Sequence, residues 1–475
     1  MPDRVEVRNI ARREPIERFP SELLGEIFAW ARDGYLPTAQ SQQRYYSQEY
    51  SILDPLSPPL IFTRVCSRWY TVAKHTPSLW NHVHLPATSR ISAAALDGLL
   101  RRSGALSLHV TLANEGRPFW KGIHRPTALL RHLLRNESAQ QRLATLDLRG
   151  YLEWLIQPDA DYPAVIHRRN FPKLKIMEVY STDMTSPEVF ATVLATFQTA
   201  AALHCVSLIS PVGRAERGML PWHTLTEISI DTDLSFEAAR DIVMDAPRLN
   251  TCTFTRLMVG DRSTVTDIST GALLVHDQMK DLAFGFRSGN PAAFFDAFAF
   301  PALTRLEIGM NSTARQSASL EPDWDAILLG LQRRSSFALS ALSLYDFPCP
   351  ATTLMEYLTT SSGTLQELIL EDCGAHDPDL LRFLTLDSSA DLNGPSTRFP
   401  ALREMALLFY STVVSPEPLV RFIESAGAHG GRPGAGFPSL RYLLIHSNEI
   451  QSSRETARIN LACARSEAEI DYEVL

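Results

Sequence analysis

Several features are scarce in this chain of 475 residues, and each absence excludes a class of protein. The six cysteines are scattered and form no C-x-x-C pair. This argues against a disulfide framework and a zinc site, and it favours a reducing compartment. No apolar run approaches the ~20 residues that a membrane helix needs, and the charged N-terminal stretch lacks the apolar core of a signal peptide. We therefore expect a soluble protein of the cytoplasm, the nucleus or both.

Charge and catalytic motifs are sparse as well. A net charge of −8 is mild for this length and indicates neither nucleic acid nor a membrane surface as a partner. The sequence has no G-x-S-x-G, no H-E-x-x-H and no local cysteine-nucleophile signature. His82 and His84 lack a further metal ligand at a suitable spacing, so we interpret them as an exposed pair. We predict no catalytic residue, no metal and no cofactor. The alternative of an enzyme with a non-standard site requires a deep polar pocket.

What the chain does contain is enough apolar sequence for a large core, with 45% hydrophobic and 21% charged residues. Near the N-terminus, residues 16–85 predict a small helical unit. The first helix has one apolar face at helical spacing, with Glu22, Glu26 and Arg32 left for solvent. That face consists of Leu23, Leu24, Ile27, Phe28 and Ala31.

A second helix is predicted to begin at Pro59 and to end where Thr76 precedes Pro77, because a residue before proline avoids the helical conformation. Its apolar positions are Ile61, Phe62, Val65, Cys66, Trp69, Val72 and Ala73, and Leu79 and Trp80 follow in a short turn. A unit this small has difficulty burying its own surface and tends to need a partner.

The order of these residues resembles the F-box, in the diverged form common among fungal F-box proteins. The matching fragments are Phe19-Pro20-x-Glu22-Leu23-Leu24-x-x-Ile27-Phe28, then Val65-Cys66-x-Arg68-Trp69-x-x-x-Ala73, then Thr76-Pro77-x-Leu79-Trp80. The stretch 33–57 departs from the family, since it is longer than the loop of a compact F-box and reads as a polar insertion.

The resemblance implies a non-catalytic substrate receptor of an SCF-type cullin–RING ubiquitin ligase, acting in ubiquitin-dependent degradation. In that family the F-box docks on a Skp-type adaptor. Carried over residue by residue, the adaptor-binding positions are Phe19, Pro20, Leu23, Leu24, Ile27, Phe28, Val65, Cys66, Trp69, Ala73, Leu79 and Trp80.

After the F-box, a helix with Leu96, Leu99 and Leu100 is predicted to end at Ser103-Gly104, and alternating leucines and valine up to Leu112 predict a strand. From residue 143 onward the motif L-x-x-L-x-L recurs with apolar substitutions in about eleven copies, which predict parallel strands. The middle apolar residues of these copies are Leu146, Met177, Val206, Ile228, Cys252, Leu282, Leu306, Leu342, Leu368, Met405 and Leu443.

Amphipathic stretches between the strands predict helices, each with an apolar stripe. The stripes include Phe190, Val193, Leu194 and Phe197; Phe236, Ala239, Ile242 and Val243; Trp324, Ile327, Leu328 and Leu331; and Leu419, Val420, Phe422 and Ile423. Strand and helix alternating in this way is typical of degenerate leucine-rich repeats, which stack into a curved solenoid. A closed α/β fold with the same strand–helix order is the alternative.

The predicted fold class is therefore α/β: an N-terminal tail (1–15), a small all-helical F-box-like domain (16–85) and a leucine-rich-repeat-like solenoid with a curved parallel sheet (86–475). The repeats are expected to bind an unknown target protein through outward strand positions such as Thr145, Asp147, Glu227 and Ser229. The alternative function is a non-catalytic interaction scaffold whose degenerate F-box does not bind the adaptor.

Overall fold

The computed structural model describes residues 19–34, 52, 54–86, 92–114, 132–150, 170–181, 187–210, 218–258, 273–288, 292–310, 323–347, 349–373, 378–385, 399–409, 416–427, 440–447 and 469–474. The chain forms two compact units, one of Met1–Thr185 with Thr199–Leu203 and one of Ser186–Gln198 with His204–Leu475. The described helices of the segment 16–85 and the strands up to Ser181 lie in the first of these units, and the predicted domain boundary at residue 85 stays a prediction. The N-terminal tail and most of the insertion 33–57 lie outside the described residues.

The first unit consists of helices followed by parallel strands. Its elements are α1 (Ser21–Asp33), the 3₁₀ turns η1 (Phe62–Arg64) and η2 (Pro77–Trp80), α2 (Ser67–His75), β1 (His82–Pro86), α3 (Ala93–Arg102), β2 (Leu108–Asn114), α4 (Glu137–Arg142), β3 (Leu143–Gly150) and β4 (Ile176–Ser181).

These strands pair in parallel in the order β1-β2-β3-β4. The register places Val83, Val110, Leu146 and Met177 in one row, and all four side chains are buried. Strand β1 follows η2 almost directly and pairs with β2, which is why the helical segment and the sheet belong to one unit.

The second unit repeats strand and helix along the chain. Its strands are β5 (Cys205–Ser210), β6 (Glu227–Thr232), β7 (Leu234–Ser235), β8 (Thr251–Met258), β9 (Leu274–Val275), β10 (Asp281–Ser288), β11 (Phe298–Ala299), β12 (Arg305–Met310), β13 (Ala341–Tyr345), β14 (Glu367–Glu371), β15 (Glu404–Phe409), β16 (Tyr442–Ser447) and β17 (Glu469–Val474). Its helices are α5 (Pro187–Ala195), the 3₁₀ turn η3 (Trp222–Thr224), α6 (Phe236–Asp245), α7 (Ala292–Ala297), α8 (Trp324–Ser335), α9 (Ala351–Ser361), α10 (Pro378–Leu384) and α11 (Pro416–Gly427).

The recurring apolar motif sets the register of this second sheet. The strands pair in parallel in the order β5-β6-β8-β10-β12-β13-β14-β15-β16-β17, and the two-residue strands β9 and β11 pair separately. One row of mutually aligned, buried side chains runs across it: Val206, Ile228, Cys252, Leu282, Leu306, Leu342, Leu368, Met405 and Leu443. The prediction of a strand at each motif copy is confirmed.

Strand order distinguishes this sheet from a doubly wound one. In a doubly wound sheet the order reverses at a switch point. Within each unit here, the main strands follow one another in chain order over the described residues. The α/β class and the parallel pairing are therefore confirmed, and the order is not that of a doubly wound sheet.

The helices predicted after residue 86 are present, and polar side chains cap several helices of the chain. Ser92, Asn136, Ser235 and Asp323 each accept a hydrogen bond from the backbone N–H three residues later, which satisfies a group that the first turn leaves without a partner. The apolar stripes of α5, α6, α8 and α11 are buried wherever their side chains are described. The side chains of Phe236 and Trp324 lie outside the described part of the structure.

Some strands were not predicted from sequence: β1, the two-residue strands β7, β9 and β11, and the last strand β17. Strand β1 alternates histidine with valine and leucine, and β17 lacks the motif that marks the others. Among the described residues, no helix is both long and apolar enough to cross a membrane.

The buried row of the second unit should be sensitive to truncation. Leu306 is fully buried in β12, so we expect Leu306→Ala to lower the free energy of unfolding by roughly 2–5 kcal/mol through lost burial and a residual cavity. Urea denaturation followed by circular dichroism measures the change. Lys280→Ala, at an exposed position beside the same sheet, should shift stability by less than about 0.5 kcal/mol. Equal effects of the two variants would contradict the assigned register.

Candidate functional site

Helix α1 has two apolar faces, and only one of them is covered. Leu24 and Phe28 are buried, whereas Leu23 and Ile27 are 48% and 45% exposed. Trp30, three residues further along the outer face, is 78% exposed. The sequence predicted a single apolar face, which is wrong because adjacent leucines at positions 23 and 24 point about 100° apart around the helix. A row of large apolar side chains is left facing solvent.

The buried face of α1 packs on the second helical segment through aromatic rings. The Phe28 ring stacks on Phe62 with the centroids 4.4 Å apart, and it lies 4.7 Å from the Trp69 ring. The indole Nε1 of Trp80 donates to the Ala73 carbonyl at 2.8 Å, which satisfies the polar atom of a buried side chain. The ring contacts hold α1 against η1 and α2, and the indole hydrogen bond joins η2 to α2.

Arg32 joins α1 to the start of the sheet. Its guanidinium donates to the backbone carbonyl of Ser78 and to the side-chain oxygen of Asn81, the latter at 3.0 Å. It also donates to the Asp33 carboxylate at 2.9 Å, which compensates its charge. The sequence assigned Arg32 to solvent. That assignment is wrong, since only 5% of the residue is exposed.

Cys66 interrupts what was predicted as one helix starting at Pro59. Its backbone is extended, with φ −159° and ψ 170°, and its sulfur accepts a hydrogen bond from the Trp69 backbone N–H at 3.5 Å. Cys66 therefore acts as the N-cap of α2, and the segment before it forms only the short turn η1. Consequently Val65 and Cys66 are exposed at the start of α2.

The structure divides the residues predicted to bind an adaptor into two sets. The exposed set is Phe19, Pro20, Leu23, Ile27, Val65 and Cys66, with Trp69 half-buried. The buried set is Leu24, Phe28, Ala73, Leu79 and Trp80, each no more than 1% exposed. The buried side chains form the interior of the helical segment, so in this structure they present no surface to a partner.

Sequence reasoning missed three exposed apolar residues of the helical segment: Trp30, Leu56 and Tyr70. Trp30 follows Leu23 and Ile27 at i, i+4 and i+7, so helical spacing contained the signal. The Arg68 guanidinium donates to the Phe19 carbonyl, which joins the beginning of α2 to the beginning of α1. We call the side chains of Phe19, Leu23, Ile27, Trp30, Val65 and Tyr70 the outer apolar surface.

The two histidines after the helices are not the exposed pair that the sequence suggested. His82 and His84 lie in β1, and burial lowers the pKa of each to about 4, with the nearby Arg32 charge adding to the effect at His82. The His82 ring stacks on that of His109 with centroids 4.4 Å apart, and His109 Nδ1 lies 3.0 Å from the Thr145 hydroxyl. At neutral pH the rings of His82 and His84 are therefore neutral, and they form part of the packing of β1 to β3.

The outward strand positions named as a target-binding surface differ in accessibility. Glu227 is exposed, and Thr145 and Ser229 are half-buried. Asp147 is only 7% exposed and pairs with Arg149, whose Nη2 lies 2.8 Å from a carboxylate oxygen. Desolvation raises the pKa of Asp147 against the opposing effect of that arginine. The expectation of a solvent-facing Asp147 is therefore wrong.

Metal-ligating side chains do not cluster in the part of the chain that the structure describes. Among the described side chains, no cluster of three or more His, Cys, Asp or Glu is arranged to hold a metal ion. Burial raises the pKa of the Cys349 thiol to about 12, and it raises those of Cys252 and Cys373 as well. Such thiols stay protonated, and a protonated thiol is a poor nucleophile.

Comparison with known proteins adds no family to these observations. No protein-family model matches the chain. No curated protein matches it either.

The neutral histidines of β1 predict a pH dependence of stability. Between about pH 4 and the usual histidine value of 6.5, the unfolded chain binds protons that folded His82 and His84 do not bind. Stability should therefore rise with pH across this interval and fall on acidification. Urea midpoints between pH 4.5 and 7.5 measure the slope. His84→Gln should flatten it, whereas His75→Gln, at an exposed position on α2, should flatten it less. Equal slopes for wild type and His84→Gln would contradict a neutral buried imidazole.

Proposed function

We propose that this protein is the substrate-recognition subunit of an SCF-type cullin–RING ubiquitin ligase, docking on a Skp-type adaptor through its N-terminal helices. The observation that carries the proposal is the outer apolar surface. A stripe of large apolar side chains on a well-packed helix costs solubility unless a partner covers it. Its place within the F-box-like order of residues supports a Skp-type adaptor as that partner.

The outer apolar surface suits docking of a helical face into an apolar groove. Such interfaces take most of their affinity from a few aromatic or large aliphatic anchors near the centre. Leu23, Ile27 and Trp30 provide these anchors on α1, and the buried contacts of Phe28 and Arg32 keep that helix in place. Little ordering would be needed on binding, which favours affinity.

The parallel sheet would serve as the target-binding part, and we propose that its repeats form a leucine-rich-repeat solenoid. Supporting this, each motif copy contributes one strand, neighbouring strands are neighbours in sequence, and the middle apolar residues align. In such repeats each unit buries its apolar side against the next. The receptor would catalyse nothing itself, and would raise the effective concentration of a target lysine near the ubiquitin-loaded enzyme.

The adaptor interface can be tested with substitutions on the exposed side of α1. We expect the full chain, co-expressed with a Skp-type adaptor, to elute with it as one stoichiometric complex in size-exclusion chromatography. Leu23→Asp combined with Ile27→Asp should abolish that complex, because two charges would be buried in an apolar groove without partners. Trp30→Ala should weaken binding by about tenfold or more, as expected for an aromatic anchor. Calorimetric titration of purified components measures this.

The matched control is Leu106→Asp, which places a charge at an exposed apolar position elsewhere in the same unit. It should leave the complex intact. Circular dichroism verifies that each variant is folded, and Leu24 is avoided because a charge at that buried position would unfold the helices. If the folded wild-type chain binds no adaptor, the ligase assignment is overturned, and the protein is a repeat scaffold with a degenerate F-box.

A further inference from the structure

The outward face of the second sheet is apolar from β14 to β16. Pairing of these three strands places Ile369, Ala406 and Leu444 in one row across the sheet, and Leu408 follows Ala406 two residues further along β15. Each of the four side chains is half-buried in the folded chain. We call Ile369, Ala406, Leu408 and Leu444 the apolar sheet patch.

Strand β6 of the same sheet has a different outward face. Its outward residues are Glu227, Ser229 and Asp231, which alternate with two buried isoleucines. Such alternation is typical of a strand with one face in solvent, whereas the strands of a parallel sheet covered on both faces are apolar throughout. Strands β15 and β16 have the second kind of sequence, but their outward side stays half-exposed. Contiguous apolar side chains of this kind indicate a surface that a partner covers.

The apolar sheet patch is lowest at Ala406. Neighbouring strands lie about 4.8 Å apart, and alternate residues of one strand are separated by about 6.6 Å. Ile369, Leu408 and Leu444 therefore stand around the single methyl group of Ala406. A depression one residue wide between larger aliphatic side chains suits one large apolar side chain of a partner. A few buried anchors of this type supply most of the affinity of an interface.

The charge beside the patch is negative. Glu404, two residues before Ala406 on β15, is exposed, and over the described residues it forms no ion pair. The nearby Glu367 differs, because it already pairs with Arg305 at 2.9 Å. Asp and Glu also outnumber Lys and Arg in the second unit, although they do not in the first. This electrostatic field favours a partner that carries basic residues beside its apolar anchor.

We propose that the apolar sheet patch binds an extended segment of a partner protein, which places a large apolar side chain over Ala406 and a basic side chain against Glu404. The assignment of this segment to the target of the repeats rests on the function proposed above. Charge complementarity selects this occupant over a second copy of the chain, whose net charge is −8.

The strand geometry sets the spacing within the bound segment. Glu404, Ala406 and Leu408 occupy alternate positions of β15, so each is separated from the next by about 6.6 Å. A segment extended alongside β15 advances about 3.3 Å per residue. A basic residue, the apolar anchor and a second apolar residue would therefore occupy alternate positions of the segment.

The proposal is tested on the full chain with a fluorescein-labelled peptide that carries arginine, phenylalanine and leucine at alternate positions and glycine or serine elsewhere. Fluorescence anisotropy should show saturable binding. Ala406→Leu fills the depression and should weaken binding by about tenfold or more. Glu404→Gln should weaken binding and reduce its dependence on salt, because a charge-assisted contact is lost. A peptide with glutamate in place of arginine should bind more weakly than the original peptide.

Each variant has a matched control on β6. Ser229→Leu adds a leucine at a half-buried outward position, and Glu227→Gln removes a charge from an exposed one. Both should leave binding unchanged, and circular dichroism verifies that every variant is folded. The proposal is overturned if the wild-type chain shows no saturable binding, if folded Ala406→Leu binds like wild type, or if Ser229→Leu weakens binding equally. If Ala406→Leu does not fold, equal binding by Glu404→Gln and by the glutamate peptide overturns it.

Two further measurements separate this proposal from its alternatives. Light scattering that shows a dimer abolished by Ala406→Leu would identify a second copy as the occupant and overturn the proposal. Adaptor binding is measured on the same samples, and Ala406→Leu should leave it intact. Absence of adaptor binding with intact peptide binding would reject only the ligase assignment, and the converse result would reject only the proposed segment.

Discussion

Parallel pairing of consecutive strands in a fixed register is the constraint on which the rest of the structure depends. A strand can present its motif leucines to the core only if its neighbour is aligned in the same register, because a shift by one residue would turn every side chain to the other face. The continuous row from Val206 to Leu443 meets this condition. Variable connections between strands are compatible with it, because the entropy of closing a loop grows slowly with length.

The first unit applies the same pairing to attach a helical segment. Strand β1 begins two residues after Trp80, and Arg32 of α1 donates to the Ser78 carbonyl in η2 and to Asn81, the residue between η2 and β1. The stacked, neutral imidazoles of His82 and His109 fit this polar junction without adding buried charge. The helices are consequently fixed by side-chain contacts to the same unit that contains the first four strands. These contacts hold α1 in a defined orientation with Leu23, Ile27 and Trp30 exposed.

Much of this architecture could be predicted from the sequence, for a physical reason. In each motif copy the apolar residues recur with period two, and a strand with one buried face requires that pattern. The pattern failed at β1, where His82 and His84 take polar positions that local sequence could not reveal as half-buried. It also failed at Cys66, because helical spacing of apolar residues continues through a position whose backbone is extended.

The candidate surface was predicted only in part, since hydrophobicity alone does not say which apolar residues a small unit buries. Leu23 and Leu24 are chemically identical neighbours, yet only Leu24 is buried, on the helix face whose Phe28 packs on the rings of Phe62 and Trp69. Whether a charged side chain is buried or faces solvent likewise depends on tertiary contacts. By its position in the helix Arg32 would face solvent, but in the folded chain its guanidinium is buried and donates to Ser78 and Asn81.

The surface proposed on α1 has a cost that packing of the core does not explain. A packed core accounts for buried leucines, but the fold does not require Trp30 to be 78% exposed. Exposed apolar area of this kind lowers solubility unless a partner covers it. A groove that covers α1 would remove that cost, and the contacts of Phe28 and Arg32 already hold the helix in the orientation that such a groove would meet.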